Sequence, residues 1–201
     1  LFDAYSETYF AIESISKVIT LLYSIETLGL DFVNTVVGAR QTGFSFDSNF
    51  TKEICNDPLI KLNEEIFKSE QKTGDMNRSL AYYMKAKEIL KADVEESLTT
   101  YFKQCSMMVT ARSLANFGAV LANDGIKPWD NERIVSSTTA TFTKSLMMTT
   151  GLYNASGIYS AKIGIPTKSG VGVGLFLQYL IKLGLAFLVH HLMKLVIVLL
   201  V

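Results

Sequence analysis

The strongest constraint on what this chain can fold into lies at its end, where Leu175 to Val201 reads LFLQYLIKLGLAFLVHHLMKLVIVLLV. A helix crossing a bilayer needs about 18 to 20 apolar residues without charge. Lys182 and Lys194 cut this stretch into pieces of strand or short-helix length. Short runs of Leu, Val and Phe suit strands of a central sheet that is covered on both faces. The expectation is a sheet at the end of the chain, not a membrane anchor, with apolar helices supplied by what precedes it.

The preceding residues are patterned as helices. Ile15, Val18, Ile19, Leu22 and Ile25 recur at steps of three and four, which predicts a helix from Ser14 to Leu28 with one apolar face and Gly29 as its stop. Residues Gln41 to Asn49 read as a loop. A second helical region is expected from Asn63, interrupted at Gly74 and resuming from Arg78 to Lys87. Val94, Leu98, Tyr101, Phe102 and Cys105 predict an amphipathic helix between Asp93 and Met108. Thr110 is the expected N-cap of the next, which carries Leu114, Phe117 and Leu121 and ends at Asn123-Asp124-Gly125. Thr138 to Thr150 gives one more, with Phe142, Leu146 and Met147 inward. Beyond Tyr153, Gly157, Gly164 and Pro166 punctuate short β-branched and aromatic runs, so the chain is read as strand-rich to its end. Helices first and strands last imply one α+β domain over residues 1–201, helices packed on a mostly antiparallel sheet.

Charge narrows the function. Nineteen Lys and Arg balance nineteen Asp and Glu, so there is no long-range field of the kind that gathers nucleic acid or an anionic membrane. A small, near-neutral substrate or a protein partner fits better. Cys55 and Cys105 lie far apart without metal-ligand spacing, and two free thiols point to a reducing compartment. The opening Leu1-Phe2-Asp3-Ala4-Tyr5 shows no signal peptide, which gives a cytoplasmic expectation. His190 and His191 are adjacent and make a poor metal pair. No cofactor is expected.

Ser14-Ile15-Ser16-Lys17 is a Ser-x-x-Lys motif at the start of an amphipathic helix. A spacing of three puts Ser14 and Lys17 on one face, where amine can reach hydroxyl. The helix start favours negative charge developing at an attacked carbonyl. A desolvated Lys17 could lose its proton and act as general base, while Ser16 points elsewhere. So short a motif recurs by chance, and a solvated helix end is its bland reading. Lys168-Ser169-Gly170, followed by Val171-Gly172-Val173-Gly174, supplies a second element. Serine β-lactamases and penicillin-binding proteins pair Ser-x-x-Lys with a downstream Lys-Thr-Gly. A glycine there lets strand backbone approach a substrate and contribute an N–H to an oxyanion hole.

Over longer stretches the chain resembles the serine-dependent glutaminases of the β-lactamase and penicillin-binding-protein superfamily. The resemblance is carried by Phe10-Ala11-Ile12-Glu13-Ser14-Ile15-Ser16-Lys17-Val18, Ser69-Glu70-Gln71-Lys72-Thr73-Gly74-Asp75-Met76-Asn77, Tyr101-Phe102-Lys103-Gln104-Cys105-Ser106, Leu121-Ala122-Asn123-Asp124-Gly125, Gly151-Leu152-Tyr153-Asn154-Ala155-Ser156-Gly157 and Gly164-Ile165-Pro166-Thr167-Lys168-Ser169-Gly170-Val171. It implies a β-lactamase-like fold and hydrolysis of L-glutamine to glutamate and ammonia through an acyl-enzyme on Ser14, with Lys17 as base. Tyr153 would relay a proton to the leaving ammonia. Glu70, Asn77 and Tyr101 would hold the α-amino and α-carboxylate groups, and Val171 N–H would join the oxyanion hole, with Lys168, Ser169 and Gly170 in support. Family relatives are homodimers or homotetramers, and the same association is implied here.

The sequence departs from that pattern in two places. The family's Asn-Ala-Gly-Ala motif, expected near residues 48–50, has no counterpart, and neither do its N-terminal strand and substrate-contacting Tyr. A longer glutaminase with segments missing is therefore expected, and an intact mass of 22.3 kDa for the natural protein would contradict that. The competing readings are a catalytically inactive relative acting as a binding or assembly subunit, a β-lactamase or D,D-peptidase, and a protein tethered to a membrane by residues 175–201.

Overall fold

The computed structural model of the chain describes residues 6–35, 48–170 and three strands over 174–179, 183–190 and 194–200. The predicted loop from Gln41 lies mostly outside the described residues, as do Val171 and His191. In chain order the elements are β1 (Phe10–Ala11), a 3-10 turn (Glu13–Ile15), α1 (Ser16–Leu28), α2 (Leu30–Thr35), α3 (Ser48–Ile54), β2 (Lys61–Leu62), α4 (Glu64–Thr73), α5 (Asp75–Ala86), α6 (Val94–Cys105), β3 (Met107–Val109) and α7 (Ala111–Ala122). There follow α8 (Ser137–Thr150), a 3-10 turn (Tyr153–Ala155), α9 (Ser156–Ile163), β4 (Thr167–Ser169), β5 (Gly174–Tyr179), β6 (Leu183–His190) and β7 (Lys194–Leu200).

The apolar tail forms strands, as the lysine interruptions require. β4, β5, β6 and β7 pair in sequence order, every pair antiparallel. No helix among the described residues is long and apolar enough to cross a membrane. α7 packs across β5, β6 and β7 and buries residues on all sides, including Ala111, Leu114, Ala115, Phe117, Val120 and Leu121. A helix that is apolar all round belongs in an interior. Thr110 starts it as expected: its hydroxyl accepts from Ser113 N–H while the Ser113 hydroxyl accepts from Thr110 N–H, a capping box.

The apolar stripe of α1 shares one core with α7, and α1 packs on α8. Ile15, Val18, Ile19, Leu22 and Ile25 are all buried, and full burial of such a side chain contributes about 1.5–3 kcal/mol. Gly29, at φ 87°, closes the helix as expected. A second, smaller core joins Ala81 of α5, Leu90, and Val94, Leu98 and Phe102 of α6. α4 and α5 form the predicted broken helix, with Asn63 capping the first and Gly74 at the break. A Cβ on Gly74 would stand 2.4 Å from the Phe102 ring, so only glycine lets this break close onto α6.

Three expectations need correction. The helix expected to run to Met108 stops at Cys105, and Met107–Val109 becomes the middle strand of a second sheet, β1-β3-β2. Pairing on both sides outweighs the helical pattern there, and the Ser106 hydroxyl ends α6 by donating to Phe102 O at 2.8 Å. The span after Tyr153 is not strand but the helix α9. Ser156 Oγ accepts from Leu152 N–H and donates to Tyr153 O to start it, and Gly164 in the left-handed region ends it. That glycine is a helix stop rather than strand punctuation. In α8 the buried face is Thr139, Ala140, Thr143 and Met147, while Phe142 and Leu146 are only partly covered. Ser16 points away from the Ser14–Lys17 pair, as expected, with its hydroxyl buried 3.8 Å from the Cys105 sulfur.

The end of α8 is pressed against β4. Ser169 N–H donates to Gly151 O, and a Cβ on Gly151 would fall 1.7 Å from Thr167 O. Gly151→Ala must therefore push β4 away from α8, and overpacking of this kind costs about 1–3 kcal/mol. Chemical denaturation is expected to show that loss, whereas an unchanged midpoint would mean that β4 does not rest on α8.

Candidate active site

The turn that begins α1 delivers the first two site residues. Ile12 N–H donates to Met107 O, tying the turn to the middle strand of the small sheet. The 3-10 turn then runs into α1 without a break, so Ser14 and Lys17 end up one above the other. Lys17 Nζ lies 2.9 Å from Ser14 Oγ. It also donates to the Tyr101 hydroxyl at 2.5 Å, and that hydroxyl is 3.5 Å from Ser14 Oγ. Tyr101 sits on α6 at the edge of the second core, so the seam between the two cores is where these groups meet.

Electrostatics at the seam favour neutral amines. Loss of water around the amine lowers the Lys17 pKa, partly opposed by Cys105 and Glu70, although the side chain as a whole still opens to the cleft. Desolvation raises the Glu70 pKa, with Glu13 adding to the rise and Lys17 opposing it. Desolvation also drives Tyr101 well above its ordinary value. From the opposite wall β4 brings Lys168, 7% exposed, whose pKa burial and then the charge of Lys17 lower to about 8. Its Nζ donates to Ser169 O at 2.6 Å and stands 4.5 Å above the ring of Tyr153. Gly170 lies against the nucleophile turn, where an added Cβ would meet Glu13 Oε2 at 3.0 Å.

Two of the six described non-glycine residues at positive φ lie at the same place. Glu13 has φ 50° and Tyr153 φ 52°. Non-glycine residues held in the left-handed region cost on the order of 1–3 kcal/mol each and cluster at functional sites. One precedes Ser14, and the other is 54% exposed beside Lys168.

The structure thus brings Ser14, Lys17, Tyr101, Glu70, Tyr153, Lys168, Ser169 and Gly170 to one cleft. Asn77, on the first turn of α5, is half-buried and is not bonded to this cluster. Cys105 was missed as a site residue. Its thiol is buried one helical turn from Tyr101 and lies 3.8 Å from Ser16 Oγ. The signal for it was the four-residue spacing of Tyr101 and Cys105 on one helix. A separate cavity of about 40 Å3, lined by Ile12, Ile19, Tyr23, Phe50 and Met107 among others, includes none of the cleft residues. No group of His, Cys, Asp and Glu among the described residues could hold a metal ion.

Comparison with known proteins decides what this geometry belongs to. The sequence model of the Glutaminase family matches residues 48–190. Glutaminase 1 of Clostridium perfringens is 44% identical, over 83% of this chain and 67% of its own length. The glutaminase of Clostridium tetani is 38% identical over 84% and 69%.

The chain belongs to the glutaminase family.

It is a glutaminase, an amidohydrolase of the β-lactamase-like, α+β fold. Among solved structures, a Bacillus subtilis glutaminase in covalent complex with 5-oxo-L-norleucine, formed by reaction with 6-diazo-5-oxo-L-norleucine, superposes with a TM-score of 0.77 at 32% identity, covering 86% of this chain and 68% of that one. The family match begins after Ser14 and Lys17, so their roles rest on the cleft geometry and the motif resemblance. The alignment to Glutaminase 1 extends over 207 positions although only 83% of 201 residues take part, so that relative carries residues within the matched span that this chain does not.

Burial of Lys168 has a stability consequence with a definite sign. Its folded pKa, about 8, lies below the unfolded value of 10.5. Between those values the unfolded chain binds the extra proton, so stability rises with pH across that window. The denaturation midpoint is expected to climb from pH 8 to 10, and to climb less in Lys168→Met. Equal slopes for the two proteins would contradict the desolvation of this amine.

Proposed function

We propose that this glutaminase cleaves the side-chain amide of L-glutamine through an ester on Ser14. The observation that carries the reading is the 2.9 Å contact between Lys17 Nζ and Ser14 Oγ, with an amine whose pKa is lowered. Neutral Lys17 takes the proton of Ser14 as Oγ attacks the amide carbon. The tetrahedral oxyanion faces the start of α1, and the motif resemblance assigns Val171 N–H to the hole. Collapse expels ammonia, protonated through Lys17 and Tyr153, and leaves the γ-glutamyl ester. A water molecule then attacks the ester, its proton passing to the same groups, and glutamate leaves as Ser14 recovers its hydrogen. Glu70 faces the substrate's ammonium, and Asn77 and Tyr101 complete the pocket for its α-groups. An anion beside several neutral donors suits a free zwitterionic amino acid better than a peptide.

The absence of the Asn-Ala-Gly-Ala segment near residues 48–50 supports a second reading, a relative that binds glutamine without turning it over. Ammonia release separates the two. The leading reading expects turnover by the wild type, loss of about a thousandfold or more in Ser14→Ala, and an acid limb in kcat/KM from Lys17 that lies below the ordinary lysine range. Turnover unaffected by Ser14→Ala would refute the mechanism, and binding without turnover in the wild type would favour the second reading.

A homodimer or homotetramer, placed in the cytoplasm, completes the proposal. Its support is the row of Met76, Leu80 and Tyr83 on one face of α5, exposed at 73%, 54% and 61%, and the two free buried thiols of Cys55 and Cys105. Light scattering at micromolar concentration is expected to give a multiple of the chain mass. A monomer would contradict it.

A further inference from the structure

Tyr153 is the open member of the cleft. It is 54% exposed, and among the described residues its hydroxyl makes no hydrogen bond. Its backbone, by contrast, is fixed: Ser156 Oγ accepts from Leu152 N–H at 2.9 Å and donates to Tyr153 O at 2.8 Å, with Tyr153 at φ 52°. A phenol on a fixed backbone but open to water can still swing about its side-chain bonds, whereas a proton relay needs its oxygen in one place. The restraint on the ring comes from the neighbouring strand. Lys168 Nζ stands 4.5 Å from the ring centroid, inside the distance at which a cation is held on an aromatic face.

We infer that Lys168 is a positioning residue for the amide hydrolysis: its ammonium, seated on the face of the Tyr153 ring, fixes the phenol in the cleft of Ser14 and Lys17. The amine is itself aimed, because it donates to Ser169 O at 2.6 Å and so is pinned to its own strand. Strand and ring share one foundation. Ser169 N–H donates to Gly151 O, two residues before Tyr153, and the missing Cβ of Gly151 lets Thr167 O come close. Lys168 is 7% exposed, so water competes little for the ammonium, and a cation–π contact is stronger when desolvated. Burial, then the charge of Lys17, lowers the amine's pKa only to about 8, so most of it is still protonated at pH 7. A charge used in this way acts on the relay and leaves substrate binding alone.

This inference rests on the acyl-enzyme reading, and the test separates the two. Glutamine kinetics and denaturation midpoints are measured at pH 7 for the wild type, Lys168→Gln, Lys168→Arg, Tyr153→Phe, the Lys168→Gln/Tyr153→Phe pair and Ser14→Ala. Glutamine at position 168 can still donate but carries no charge. Loss of a desolvated cation–π contact corresponds to roughly tenfold. Lys168→Gln is therefore expected to lower kcat by about that factor, with KM within about twofold. Lys168→Arg, whose cation also stacks on aromatic faces, is expected to restore most of kcat. Once the phenol oxygen is gone its placement no longer matters, so in the Tyr153→Phe background Lys168→Gln is expected to cost little more. The contact is also read without turnover: Lys168→Gln and Tyr153→Leu together are expected to lower the denaturation midpoint by less than the sum of their separate shifts. If Lys168→Gln does not fold, Lys168→Met takes its place. An unchanged kcat, a loss that falls on KM instead, a folded Arg variant as impaired as Gln, full additivity with Tyr153→Phe, or additive midpoints with Tyr153→Leu would each overturn the role of Lys168. Turnover surviving in Ser14→Ala, or none in the wild type, would instead overturn the acyl-enzyme reading beneath it, and the midpoints would still judge the contact of Lys168 with Tyr153.

Discussion

An amine deprived of water needs acceptors for its N–H bonds and gains from shedding its charge, and the cleft is organised around that demand at Lys17. Ser14 and Tyr101 meet it at 2.9 and 2.5 Å. Lys168 enters from the other wall and brings a second amine into the same seam, which the fold tolerates by lowering its pKa to about 8. Lys168 thereby titrates at about 8, and the Lys17 pKa is lowered as well. Ser14, the proposed nucleophile, needs no unusual property, because the 3-10 turn running into α1 places its oxygen 2.9 Å from the Lys17 amine.

Holding these groups requires rigid support, and the support is spread over the molecule. α7, buried on all sides, packs on the sheet and shares one core with α1. The short sheet β1-β3-β2 anchors the turn before Ser14 through Ile12 N–H to Met107 O. Gly74 lets the α4–α5 break close on Phe102, next to Tyr101, and Gly151 lets α8 press on β4, which carries Lys168. Glu13 and Tyr153, two of the six described non-glycine residues at positive φ, flank these groups. Stability is given up where placement matters most, and the two cores on either side supply it.

What could be read in the sequence follows from the range of the interactions involved. Contacts within one helix were legible: the apolar stripe of α1, its glycine stop, the Thr110 cap and the Ser14–Lys17 pair all depend on spacings of three or four. The lysine-broken tail was legible as strands because length and charge exclude a spanning helix. The sheet β1-β3-β2 was not, since strands of two or three residues carry no measurable period. α9 was misread because Gly164 serves equally as strand punctuation and as helix stop. In the cleft, the motif resemblance named Tyr101 and Tyr153 for the substrate, but the contact of Tyr101 with Lys17 spans 84 residues of sequence and belongs to tertiary structure alone. Asn77, named from its motif, stands outside the bonded cluster.

The central claim is that Ser14 carries the covalent intermediate. Its most direct measurement uses 6-diazo-5-oxo-L-norleucine, which reacts covalently with the Bacillus subtilis glutaminase, followed by proteolysis and mass mapping of the labelled residue. The account predicts a single adduct on Ser14, absent from Ser14→Ala and slowed in Lys17→Ala. An adduct on any other residue, or undiminished labelling of Ser14→Ala, would contradict it.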